Sequence, residues 1–101
     1  FNLGFILSKQ NRFEEAAGIF EKVARLTPYN VEVYFNWGHA LSQTGKLDEA
    51  ARTLKRALSL GPEYAAAHRT LAAVYTSQGK TAEAQRHIEE AERIEQSPKN
   101  P

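Results

Sequence analysis

Residues 31–64 read VEVYFNWGHALSQTGKLDEAARTLKRALSLGPEY, and this stretch decides the fold. In its first half, large apolar residues recur at helical spacing, as at Trp37 and Leu41, a pattern typical of an amphipathic helix. Gly45 then stands where a helix end favours a residue with positive φ. A second apolar stripe follows and stops at Pro62, because proline cannot continue a helix. The stretch therefore predicts two helices joined by a short turn.

The same pattern returns, without a gap, when the chain is shifted by 34 residues. A fixed period of this length indicates stacked helical units. The aligned sets are Leu3, Trp37 and Leu71; Gly4, Gly38 and Ala72; Asn11, Gly45 and Gly79; Ala16, Ala50 and Ala84; Phe20, Leu54 and Ile88; and Pro28 with Pro62. The predicted units are residues 1–30, truncated at its start, 31–64 and 65–96, and the predicted helices are 1–10, 13–26, 31–44, 47–60, 65–78 and 81–95. Residues 97–101, with two prolines, are predicted to form a disordered tail.

Small residues recur on both helices of each unit, and a large apolar residue accompanies them. Facing small residues let two helices approach closely while the large residue fills the space beside them. These residues together resemble the tetratricopeptide repeat. The resemblance implies an all-α fold, a right-handed superhelical α-solenoid of three antiparallel helical hairpins. It also implies a concave groove, lined by the first helix of each hairpin, that binds a protein or peptide.

The two ends of the array differ. The positions that would face the next hairpin are apolar in the first two units, but they are Gln85 and Glu92 in the third. A polar outer face is typical of a terminal repeat. The first helix has no such cap, because Phe1, Phe5 and Ile6 crowd it. Either the array continues upstream in a longer parent protein, or a partner chain covers this edge, which would allow a homo-oligomer through the N-terminal helix.

Composition excludes several classes of partner. The chain has 101 residues, a formal net charge of +1 and no cysteine. A near-neutral chain lacks the concentrated basic surface that nucleic acid or an anionic membrane requires. No apolar run approaches the roughly 20 residues that a membrane span needs. The absence of cysteine leaves the redox compartment open.

No constellation of residues predicts catalysis. The histidines His39, His68 and His87 are separated by 29 and 19 residues, so they form no ligand pair on one helical face. We expect His68 to be buried between helices and His87 to be solvated. Carboxylates at the starts of the second helices stabilise those helix ends, and the glycines form no phosphate-binding loop. The sequence predicts no catalytic residue, no metal site and no cofactor.

The candidate binding residues follow from the resemblance, since the core of the hairpins does not require them. Asn36, His39 and Arg69 are expected to donate or accept hydrogen bonds with a peptide backbone, and Phe5 and Phe35 to form an exposed aromatic cluster with Phe1. Alternatively, Phe1 and Phe5 pack on upstream sequence and only Phe35 is exposed. The full predicted groove set is Phe1, Phe5, Lys9, Phe35, Asn36, His39, Gln43, Arg69, Thr70 and Ala73.

The leading functional hypothesis is a protein-interaction scaffold, at the C-terminal end of a longer protein. The alternative is a regulatory or substrate-docking domain of a larger enzyme. RNA binding would need a basic groove, and the predicted groove offers only Lys9 and Arg69. Family members that hold the C-terminal carboxylate of chaperones use lysine, asparagine and arginine at positions where only Asn36 agrees here, so this partner is not expected. The positions compared are Phe1, Phe5, Asn36, Ala66 and Thr70.

Overall fold

The computed structural model describes residues 2–96, and within them the chain forms six helices and no strand. The predicted helix at each position is confirmed to within one or two residues. Phe1 and the predicted tail, residues 97–101, lie outside the described residues. The helices are α1 Asn2–Lys9, α2 Phe13–Leu26, α3 Val31–Gln43, α4 Leu47–Leu60, α5 Ala65–Ser77 and α6 Thr81–Gln96.

Consecutive helices pack side by side, and each odd-numbered helix forms a hairpin with the helix that follows it. The hairpins then stack in chain order, because α2 packs on α3 and α4 packs on α5. This arrangement of consecutive hairpins is an α-solenoid. No helix in the described part of the chain is both long and apolar enough to cross a membrane.

The turns inside the hairpins repeat one geometry. Asn11, Gly45 and Gly79 have φ values of 61°, 79° and 77°, in the left-handed region. The next residue then donates its N–H to a carbonyl in the last turn of the helix, as Lys46 does to Leu41 at 3.1 Å. This bond is the closing hydrogen bond of a Schellman motif. Asparagine tolerates the left-handed region better than most residues, so the first turn keeps the shape of the other two.

Each of the first two hairpins closes around a glycine and a large side chain. A Cβ atom at Gly4 would lie 2.5 Å from Cε1 of Phe20, and one at Gly38 would lie 2.6 Å from Cγ of Leu54. Phe20 and Leu54 are fully buried. The large residue therefore packs directly against the glycine, whereas the sequence analysis placed it beside facing small residues, and this contact explains why the helices of a hairpin approach so closely.

Between hairpins, small side chains form the contact. Ala17, Ala24 and Ala51 on the second helices are buried where the next hairpin covers them. Their counterparts Gln85 and Glu92 on α6 are exposed. Tertiary packing thus separates a covered face on α2 and α4 from a solvated face on α6.

At the other end of the stack, α1 presents apolar side chains to solvent. Leu3 and Ile6 are each 53% exposed. The equivalents of Ile6 in the later hairpins, Ala40 and Val74, are buried because a preceding hairpin covers them. We call the exposed surface formed by Leu3 and Ile6 the N-terminal edge.

Candidate partner-binding groove

The first helices α1, α3 and α5 carry the predicted groove residues, and their exposure varies. Phe35, Asn36, His39 and Thr70 are half-buried, whereas Phe5 is 38% exposed. Phe1 lies outside the described residues. The remaining members of the set are all exposed: Lys9, Gln43, Arg69 and Ala73.

Aromatic rings meet at the centre of the array. Phe35 on α3 stacks on Tyr64, with ring centroids 5.1 Å apart and planes at 29°. His39 lies one helical turn further along α3, with its ring centroid 6.3 Å from that of Phe35 and 6.0 Å from that of Phe13. We call Phe13, Phe35, His39 and Tyr64 the central aromatic cluster. All four side chains are half-buried, so the cluster offers part of its surface to a ligand.

The predicted groove set includes Phe35 and His39 of this cluster but not Phe13 and Tyr64. Phe13 is the first residue of α2, and Tyr64 directly precedes α5. Both lie at helix boundaries, where helical periodicity gives no signal for the direction of a side chain. The aromatic character of Tyr64 at the end of its repeat was the available signal.

The predicted pairing of Phe5 with Phe35 stays a prediction. Phe5 packs edge-on against the buried ring of Phe20, with ring centroids 6.3 Å apart and planes at 86°. Phe35 takes Tyr64 as its stacking partner. Both rings are therefore held by side chains of the described chain while part of each remains accessible.

The central aromatic cluster is uncharged at neutral pH. Burial lowers the pKa of His39 below its ordinary value, so the imidazole stays neutral at pH 7. Burial, followed by the nearby carboxylate of Glu32, raises the pKa of Tyr64, so its phenol keeps its proton. A neutral, partly desolvated aromatic surface favours apolar and aromatic side chains over charged ones.

Asn36, a polar member of the groove set, and its neighbour Ser42 on α3 donate hydrogen bonds to the backbone of their own helix. Asn36 donates one amide N–H to the carbonyl of Glu32, at 2.9 Å. Ser42 donates its hydroxyl to the carbonyl of His39, at 2.6 Å. Each of these side chains uses one donor on a carbonyl of its own helix, so it has less hydrogen-bonding capacity left for a peptide than its residue type suggests.

Arg69 has a partner that the sequence did not indicate. Its guanidinium forms a two-pronged ion pair with Glu95, in which Nε donates to Oε2 at 3.0 Å and Nη2 donates to Oε1. The pair joins α5 to the end of α6. Hydrogen bonding to Arg69 holds the pKa of Glu95 below its usual range. A ligand that uses Arg69 must therefore compete with Glu95.

Two histidines that are far apart in sequence meet in the structure. His68 is buried as expected, but His87 is half-buried rather than solvated, and the two Nδ1 atoms are 2.9 Å apart. The expectation for His87 was wrong because it considered the face of α6 alone, whereas α5 places His68 against it. Among residues 2–96, no group of three or more histidines and acidic side chains could hold a metal ion.

Comparison with known proteins assigns the family. The model of the tetratricopeptide repeat matches residues 7–58 and 41–100. These two overlapping matches cover most of the chain, and the chain belongs to the tetratricopeptide-repeat family. In this family the fold serves generally as a scaffold for protein interactions. A comparison with curated protein sequences gives no significant match.

Solved structures share the fold closely. A point mutant of MamA has 33% sequence identity and a TM-score of 0.88, covering 94% of this chain and 69% of that chain. MamA from MSR-1 has 33% identity and a TM-score of 0.87, covering 92% of this chain and 53% of that chain. The type III secretion translocator chaperone SycD of Yersinia enterocolitica has 18% identity and a TM-score of 0.92, covering 95% of this chain and 66% of that chain. The chain thus spans about half to two thirds of these proteins, and the predicted all-α solenoid is confirmed.

Proposed function

We propose that this chain is an interaction module that binds a protein segment in the groove formed by α1, α3 and α5, with the central aromatic cluster as the anchor point. The single observation that carries the proposal is this cluster, which is half-buried, uncharged at neutral pH and centred on α3 of the middle hairpin. Exposed or partly exposed aromatic groups are frequent anchors at protein interfaces. The family to which the chain belongs supports the same class of function.

The chemistry of the groove narrows the partner. Lys9 and Glu32 are exposed and of opposite charge, and Arg69 is already paired with Glu95. The groove therefore lacks the concentrated charge that would select nucleic acid or a strongly charged peptide. The partner that fits is a largely uncharged peptide segment that carries an apolar or aromatic side chain.

The position of this segment within a parent protein is a further part of the proposal. The polar outer face of α6 supports the proposal that the third hairpin, formed by α5 and α6, is the terminal hairpin of an array. The N-terminal edge supports contact with another hairpin, either an upstream one or the first helix of a second copy. In the alternative, the same groove would serve as the docking site of a larger enzyme, and the parent sequence would distinguish these two roles.

The test uses peptides selected from a random phage-displayed library on the purified chain. Ala73→Arg places a long side chain in the groove without removing a core contact, because Ala73 is exposed on α5. The matched control is Ala82→Arg, the same substitution at an exposed position on α6, a second helix. Affinity of the selected peptides should fall by about tenfold or more with Ala73→Arg, equivalent to at least about 1.4 kcal/mol, and should be unchanged with Ala82→Arg. Equal binding to both variants would place the binding surface elsewhere.

A further inference from the structure

The third hairpin contains a contact between two imidazole rings that the groove does not use. His68 on α5 is 8% exposed, His87 on α6 is half-buried, and their Nδ1 atoms are 2.9 Å apart. We call these residues the histidine pair. Their ring centroids are 5.2 Å apart with planes at 30°, and the ring of Tyr75 lies against His87 with centroids 5.6 Å apart. The pair therefore lies within the packing between α5 and α6.

The surrounding hydrogen bonds determine which nitrogen carries each proton. Nε2 of His68 is 2.9 Å from the carbonyl oxygen of Pro62, which can only accept a hydrogen bond. Nε2 of His68 must therefore be protonated, and in neutral His68 the Nδ1 atom is an acceptor. His87 must then donate through its own Nδ1. With both rings neutral, one chain of bonds runs from His87 through His68 to Pro62, and it has no conflict.

The geometry fits a proton between the rings and does not fit a metal ion. A metal bound by two imidazole nitrogens lies roughly 2.0–2.1 Å from each, and at a tetrahedral angle the two nitrogens are then roughly 3.3–3.4 Å apart. The observed Nδ1–Nδ1 distance is 2.9 Å, the length of an ordinary hydrogen bond.

The histidine pair can take up one additional proton but not two. With one additional proton the bond between the two Nδ1 atoms still has one donor and one acceptor, so every bond in the chain is kept. A second proton would place two N–H donors against each other and two positive charges side by side. The closed hairpin therefore opposes full protonation.

The charged groups around the pair do not remove this opposition. Burial is the largest cause that lowers the pKa of His87, followed by His68, Arg86 and Lys55, while Glu83 acts in the other direction. These groups come from α4, α5 and α6. The carboxylate of Glu90 also interacts with both histidines, but Arg93 already holds it in an ion pair.

We propose that the histidine pair is an acid-sensitive contact that stabilises the packing of α5 against α6 at neutral pH and destabilises it as the pH falls. The unfolded chain binds a proton at both histidines below about pH 6.5, the ordinary pKa of the side chain. The closed hairpin binds at most one. Because the folded form takes up fewer protons than the unfolded chain, the contribution of the pair to stability is fully present above this pH and is lost below it. The ratio of folded to unfolded chain falls about tenfold for each pH unit below about 6.5, for each proton that the fold excludes.

The first test measures the tautomers directly in the wild-type chain. Long-range proton–nitrogen correlation spectra at pH 8 should show His68 protonated at Nε2 and His87 protonated at Nδ1. On titration, the two residues should respond to the same protonation steps, as coupled groups do. An Nε2-protonated His87 at pH 8, or two histidines that titrate independently of each other, would overturn the proposal.

The second test measures stability by urea unfolding at pH 7.5 and pH 5.5. In His87→Gln the amide can still donate to His68 but cannot gain a proton. Between pH 7.5 and pH 5.5, the factor by which the ratio of folded to unfolded chain falls should therefore be about ten times smaller than in the wild type. His39→Gln is the control, since burial also lowers the pKa of His39, which lies outside the pair. This control should lose only the pH dependence that His39 itself contributes. It should keep the roughly tenfold fall in the ratio of folded to unfolded chain that belongs to the pair. A His87→Gln chain with the full wild-type pH dependence contradicts the proposal, and should that variant fail to fold, the tautomer measurement decides.

Discussion

Replacing Gly38 by alanine tests how closely the two helices of the second hairpin approach. The new Cβ atom would lie 2.6 Å from Cγ and 2.8 Å from Cδ2 of Leu54, which is fully buried. These distances are too short for carbon atoms, so Leu54 or the helix backbone must move. We expect Gly38→Ala to destabilise the wild-type chain even though alanine favours a helix more than glycine does.

Two opposing contributions determine the magnitude. Overpacking a filled core costs roughly 1–3 kcal/mol, and alanine gains about 1 kcal/mol over glycine inside a helix. The net loss in the free energy of unfolding is therefore about 0–2 kcal/mol. Leu54→Ala alone should lose roughly 2–5 kcal/mol, because it empties a fully buried site.

In the Leu54→Ala background the sign of the Gly38→Ala effect should reverse. Cγ and Cδ2 of Leu54 are then absent and the backbone N of residue 54, at 3.4 Å, is in ordinary contact, so the helix preference remains and Gly38→Ala should stabilise by about 1 kcal/mol. The coupling energy of the double-mutant cycle should thus be roughly 1–3 kcal/mol.

Urea unfolding followed by circular dichroism measures all four chains of the cycle. Gly18→Ala is the matched control, because Gly18 is also inside a helix but a Cβ atom there would meet nothing within 4 Å. It should stabilise by about 1 kcal/mol with Leu54 or with Ala at position 54. An effect of Gly38→Ala that is equal in the two backgrounds would refute the close approach of α3 and α4.

Three other changes test the helix ends and the N-terminal edge. Asn30→Ala should lower the free energy of unfolding by about 1 kcal/mol, because the Asn30 side chain caps α3 by accepting the N–H of Val33 at 3.3 Å. Asn11→Ala should lower it by roughly 1–2 kcal/mol, since alanine at φ 61° is strained. If the chain self-associates, the double variant Leu3→Gln with Ile6→Gln should shift the oligomer to monomer in sedimentation, because both side chains are 53% exposed on one edge.

Each of these predictions has its own control. Asn30→Ser keeps a capping oxygen and should lose much less than Asn30→Ala. Asn11→Gly should be tolerated, because glycine adopts positive φ without strain. For self-association, the exposed pair Gln85→Ala with Glu92→Ala on α6 should leave the oligomer unchanged. If the α6 double variant dissociates the oligomer, or if neither double variant does, a role for the N-terminal edge is contradicted.

The helices, the turns and the family follow from the sequence alone. The 34-residue period placed each helix to within one or two residues of its position in the structure. It also placed Gly38 and Leu54 near the close approach within a hairpin, although it expected Gly38 to face another small residue. These features repeat along the chain and depend on neighbours within about one helical turn, so periodicity records them.

Which side chains meet across elements depends on the tertiary packing. It left Trp37 half-buried, although this residue belongs to the apolar stripe of α3, and it paired Arg69 with Glu95 across 26 residues. It also placed His87 against His68, although the face of α6 alone predicted a solvated ring. Such contacts join residues on different helices, and the angle and offset of two packed helices determine them. Helical periodicity records which face of a helix is covered, but it does not record which residue of the neighbouring helix covers it.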